Sequence, residues 1–119
     1  MLRPARGATV LNFWATWCQP CRAEMAQLQA LVEAEPASTR VIAVNLGEPR
    51  SSVRKWVADL GLTYPVLLDP QLSVASLYGV RGLPTTFLID SQLTIKGIYF
   101  GPVSAVEMQQ RIDGLAIGA

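Results

Sequence analysis

Leu11-Asn12-Phe13-Trp14-Ala15-Thr16-Trp17-Cys18-Gln19-Pro20-Cys21-Arg22 is the stretch from which the rest of the chain can be read. An apolar, strand-like run ends at Cys18, and a helical pattern begins almost at once. The Cys18 thiol therefore falls at a helix N-terminus. There the unpaired backbone N–H groups and the macrodipole favour negative charge. The thiolate is the reactive form of cysteine. Cys18 and Cys21 are the only cysteines in the chain, and their spacing points to a dithiol redox centre.

Three other uses of the pair are weaker. A structural zinc ion takes four ligands, mostly Cys and His, and the chain has no His and no third Cys. No metal and no cofactor are therefore expected. Two buried packing cysteines would not need the helix terminus. A static disulfide across two residues would close too short a loop to gain much chain entropy.

The chain has 119 residues, half of them hydrophobic, which suits a single domain over 1–119 with a substantial core. Its net charge is +1 and its arginines are scattered, so there is no nucleic-acid signature. No apolar run approaches the roughly 18 residues of a membrane span. The segment Met1–Gly7 is basic and precedes an apolar run, as a signal peptide would. That run contains Asn12 and leads straight into the cysteines, so we expect it to open the domain. No targeting segment is expected in this chain, and any membrane tether would lie outside it.

The periodicities alternate along the sequence. Thr9 to Trp14 is a strand. Pro20 to about Ala34 is a helix with Met25, Leu28, Leu31 and Val32 inward, ended by Pro36. Arg40 to Leu46 is a second strand, rich in β-branched residues. Ser51 or Ser52 caps a helix that runs through Leu60, with Val53, Trp56, Val57 and Leu60 on one face and Gly61 as its stop. Pro65 to Leu68 is a third strand. Gln71 to Tyr78 is a short helix with Leu72, Ala75 and Leu77 inward. Thr85–Ile89 and Thr94–Phe100 form a hairpin, and Ser104 to about Leu115 closes the chain with Val106, Met108 and Ile112 as core residues.

This is the pattern of an α/β domain with parallel strands. Right-handed crossovers make the first strand central. The strands at 41–46 and 65–68 then step outward on one side, and the hairpin lies on the other. Cys18 thus sits past the carboxyl end of a strand where the winding reverses, a favoured place for active sites.

Trp17-Cys18-Gln19-Pro20-Cys21, followed by Gly82-Leu83-Pro84-Thr85-Thr86-Phe87-Leu88-Ile89-Asp90, resembles the thioredoxin superfamily, and within it the TlpA/ResA-like extracytoplasmic thiol-disulfide oxidoreductases. The resemblance covers residues 9–113. It implies a thioredoxin-like fold with a central mixed sheet of about five strands, helices on both faces and a helix-strand insertion at about 50–69. It makes Cys18 the exposed attacking thiol and Cys21 the buried resolving thiol. It implies a cis Pro84 that brings the Leu83 backbone beside Cys18 to pair with a partner's extended chain. Trp17 would shield the site and contact partners.

Some features depart from that pattern. Plain thioredoxins carry a buried Asp where this chain has Asn12, which cannot titrate. Glu48, in Val44-Asn45-Leu46-Gly47-Glu48, is the expected proton carrier, with its pKa raised by partial burial and by a nearby thiolate. Arg22 and Glu24 are expected on a solvated face. The subgroup's proline in the first helix is absent at Ala26, so less kinking is expected. The strands typical of the family before residue 8 are missing, which leaves a sheet edge less covered.

The expected function is reduction or exchange of protein disulfides, with apocytochromes c as one implied substrate class and an upstream thiol donor. A monomer is expected, in an extracytoplasmic compartment by resemblance. The alternative is a redox-responsive interaction module without turnover. A peroxidase is less favoured, because neither Thr16 nor Arg22 reproduces a peroxidatic motif.

Overall fold

A computed structural model describes residues 7–34 and 39–118. Its elements are β1 (Ala8–Trp14), α1 (Gln19–Ala34), β2 (Thr39–Leu46), α2 (Arg50–Leu60), β3 (Val66–Asp69), α3 (Ser73–Leu77), β4 (Thr85–Ile89), β5 (Ile95–Phe100) and α4 (Ala105–Gly118). The expected stop at Pro36 lies outside the described residues. The sheet order is β3-β2-β1-β4-β5. β1, β2 and β3 run parallel, while β4 is antiparallel to both β1 and β5. This is the topology that crossover handedness demanded.

All seven residues of β1 are buried, because both its edges are paired and both its faces are covered. Val10 and Trp14, with Val41, Ala43 and Leu88, meet α1, α2 and α4 on one face. Leu11 and Phe13, with Ile42, Val44, Phe87 and Ile89, lie on the other, where α3 contributes Ala75. α1 runs unbroken through Ala26. Gln29 ties it to the turn after α2, accepting from the Thr63 N–H at 2.9 Å and donating to the Thr63 hydroxyl at 2.8 Å.

Three expectations about helices need correction. α2 begins at Arg50 with Pro49 at its N-cap and no side-chain cap, so neither Ser51 nor Ser52 caps it. Proline's fixed φ suits that helix entrance without a donor. Its C-terminal stop is Gly61 at φ 64, as expected. Leu72 and Leu77 are exposed, not inward. Helix α3 has only five residues, and Leu77 lies two places from the buried Ala75, about 200° around the helix. Val106 is exposed for the same reason, two places from Met108, through which α4 packs with Ile112.

Ile95, Ile98 and Phe100 are exposed on β5, which forms one edge of the sheet. The opposite edge is β3, whose Asp69 is buried and accepts from the Val74 and Ala75 N–H groups at 3.2 and 2.9 Å. One carboxylate thus closes the entrance of α3.

Candidate active site

β1 ends at Trp14, and α1 begins at Gln19. The turn between them is fixed by the Cys18 N–H bonding the Ala15 carbonyl at 3.1 Å. Cys18 therefore stands at the mouth of α1 and Cys21 one turn inside it. The two are joined as a disulfide with Cα atoms 5.3 Å apart. Cys21 is 0% exposed and Cys18 only 4%. The expected order of burial holds, but Cys18 is not the exposed group anticipated, because in this oxidised form its sulfur is turned onto Cys21.

β4, which pairs Thr85 with Phe13 near the carboxyl end of β1, begins after a cis peptide bond between Leu83 and Pro84, as the resemblance implied. Leu83 is half-buried between the two core clusters, and Pro84 is buried. Trp17, next to Cys18 in the chain, is 71% exposed. Trp14 is in the core and stacks on Trp56 of α2 at 5.7 Å between ring centroids. Arg22 is exposed yet not simply solvated, since its guanidinium lies 5.1 Å from the centre of the Trp56 ring.

Glu24 is the residue beside the cysteines that sequence reasoning placed wrongly. It was expected on a solvated face and is 1% exposed. Three residues after Cys21, it lies on the same side of α1. The buried set Cys21, Glu24, Met25, Leu28 carries that spacing and could have revealed it. Its carboxylate accepts from the Asn12 side-chain amide at 2.6 Å, from the Val103 N–H at 2.9 Å and from the Thr86 hydroxyl at 3.4 Å. Burial pushes its pKa up to about 7, against the lowering effect of those hydrogen bonds. Tyr64 lies nearby, its hydroxyl donating to the Met25 carbonyl. Burial first, and then the charge of Glu24, raise its pKa.

Glu48 behaves differently from expectation. Burial alone would raise its carboxyl, but hydrogen bonds from the Thr16 hydroxyl, the Asn45 amide and the Thr16 N–H outweigh it. Its pKa is therefore lowered, not raised. The Thr16 N–H bond is 2.8 Å and the Asn45 bond 2.7 Å. Glu48 thus braces the turn that precedes Trp17 and Cys18. Among the described residues no group of three or more His, Cys, Asp and Glu side chains could hold a metal ion.

With this geometry in place, the chain can be set beside known proteins. Residues 2–98 match the AhpC/TSA family model. The chain is 40% identical over 106 residues to the thiol-disulfide oxidoreductase ResA of Geobacillus thermodenitrificans, covering 88% of this chain and 61% of that one. It thus spans about three fifths of that relative's length. The crystal structure of StoA from Bacillus subtilis superposes with a TM-score of 0.79 at 29% identity, covering 89% of this chain and 82% of that one. A secreted thiol-disulfide isomerase from Corynebacterium glutamicum does so with a TM-score of 0.79 at 31% identity, covering 91% and 70%. The chain belongs to the AhpC/TSA family, and its thioredoxin-like fold is that of the ResA- and StoA-like proteins.

Proposed function

We propose that the chain is a thiol-disulfide oxidoreductase that reduces protein disulfides with its Cys18–Cys21 pair. The observation that carries this reading is the pairing of a disulfide at the mouth of α1 with a buried carboxyl of pKa about 7 one turn further along. In the reduced enzyme the helix terminus favours the Cys18 thiolate. That thiolate attacks a partner's disulfide, which forms a mixed disulfide and releases one partner thiolate. Cys21 then gives its proton to Glu24 and attacks the Cys18 sulfur. The Cys18–Cys21 disulfide closes, the second partner thiolate leaves, and two electrons have passed to the partner. An upstream dithiol donor reverses these steps to recharge the enzyme.

In this reading Glu48 holds the Thr16 turn, and the proton passes through Glu24. Leu83 offers backbone to an extended partner segment beside Pro84, and the exposed Trp17 ring covers the partner's flank. The partners are protein disulfides, with apocytochrome c as one class, and the compartment is extracytoplasmic. The similar structure from Corynebacterium glutamicum, described as secreted, supports that placement.

Insulin reduction with a thiol donor tests the activity. Turnover is expected from the wild type and none from Cys18→Ser, while Cys21→Ser is expected to accumulate mixed disulfides. Disulfide-dependent partner binding without turnover would replace the enzyme by an interaction module.

A further inference from the structure

We propose that Asn12 is a two-way hydrogen-bonding partner of Glu24, its side-chain amide turning over when the carboxyl gains or loses its proton. The proposal rests on the reading of Glu24 as the proton carrier, and it makes Asn12 a positioning residue for that proton.

Asn12 lies mid-way along β1 and is fully buried. One end of its amide is engaged: Nδ2 donates to Glu24 Oε1 at 2.6 Å and to Thr86 Oγ1 at 3.1 Å. The other end, Oδ1, is buried with no hydrogen-bond partner among the described residues. The Val103 N–H bonds Oε2 of Glu24 at 2.9 Å. A backbone N–H can only donate, so Oε2 must remain an acceptor. The proton of the neutral acid therefore belongs on Oε1, the oxygen that faces Asn12.

With Oε1 protonated, the present amide orientation sets an O–H against an N–H, and a buried donor without an acceptor is costly. Turning the amide removes the conflict. Oδ1 then accepts from the Oε1 hydroxyl and from the Thr86 hydroxyl, which stops accepting from Nδ2 and turns its O–H from the Glu24 carboxylate to Oδ1. The long 3.4 Å bond from Thr86 to the Glu24 carboxylate is the one given up; because Oδ1 has no partner now, no bond to any further residue breaks, and one end of the amide is unpartnered in either orientation. The 2.6 Å separation suits an O–H···O bond, which is typically shorter than N–H···O. An aspartate at this place could offer no donor to the anion, and an apolar residue could offer no bond in either state. The other titratable groups facing Glu24 are Cys21, one turn back on α1, and the Tyr64 phenol.

The test uses the disulfide form, in which neither cysteine titrates. Side-chain NMR follows the Glu24 carboxyl carbon and the Asn12 Nδ2 hydrogens as the pH is varied. Both are expected to titrate with one midpoint. Cross-relaxation between the Asn12 Nδ2 hydrogens and the Thr86 side chain is expected above it and lost below it. A Glu24 carboxyl that titrates beside a fixed Asn12 amide overturns this inference and leaves the proton role of Glu24 standing. A Glu24 carboxyl that does not titrate overturns both. In Asn12→Leu the Glu24 midpoint is expected to rise by about one pH unit, through loss of a donor to the anion; an unmoved midpoint likewise counts against the proposal.

Discussion

Glu24 is 1% exposed, and its pKa rises from an ordinary 4.5 to about 7. The protonated form is the one that burial favours. Its contribution to stability is fully present below pH 4.5 and is lost as the pH rises through about 7. The change corresponds to about 3 kcal/mol. Urea unfolding of the disulfide form is expected to show stability falling across that window. Glu24→Gln should flatten the slope and slow disulfide exchange near neutral pH. An unchanged slope would remove Glu24 as the buried acid. Glu48→Gln makes the contrasting case. Its carboxylate already lies below the ordinary range, so the neutral-pH midpoint of exchange should stay where it is, while the brace on Thr16 weakens. If Glu48→Gln moves that midpoint and Glu24→Gln does not, the two roles are exchanged. At this scale the sequence made Cys18, Cys21 and the cis Pro84 legible, since each carries a local or motif signature. Glu24 was not legible because a charged residue on a helix is usually solvated. Its burial depends on Asn12, Thr86 and Val103, which lie 12 to 79 residues away along the chain.

The helices show what a periodic pattern can and cannot decide. Strands β1 and β4 were readable to within a residue because their burial is nearly continuous. Entrances were less readable. α2 starts on Pro49 although two serines follow it, and α3 is closed by Asp69, which precedes its first residue by four positions. A side chain that arrives from a preceding strand leaves no signature in the helix itself. Asp69→Ala should therefore act as the loss of a cap. It is expected to cost about 1 kcal/mol, read as a lower urea midpoint with the exchange rate of the active site preserved. A midpoint equal to the wild type would mean that α3 holds its first turn without Asp69. Leu72, Leu77 and Val106 were misjudged because apolar character says what a residue can bury, and a short helix or an opposite face decides whether it does.

Across the whole molecule, the strand order followed from the handedness of parallel crossovers, and the position of Cys18 at the reversal followed with it. The disulfide adds little to that architecture, because it joins residues only three apart. Closing so small a ring removes little entropy from an unfolded chain. The redox state of Cys18 and Cys21 is then set against a nearly constant unfolded reference. Oxidation, reduction, folding and unfolding form a closed thermodynamic cycle. The gap in unfolding free energy between the oxidised and reduced proteins equals the gap in reduction potential between the native and unfolded chains. About 1.4 kcal/mol corresponds to 30 mV. If folding makes the Cys18–Cys21 pair more reducing than it is in the unfolded chain, the protein is the more stable when its disulfide is closed. For the proposed reductant the oxidised protein is expected to melt at the higher temperature, and a higher melting point for the dithiol form would make the native pair the more oxidising one. Two calorimetric scans, with no partner present, can thus tell whether the fold makes its own cysteine pair a stronger electron donor or a stronger acceptor.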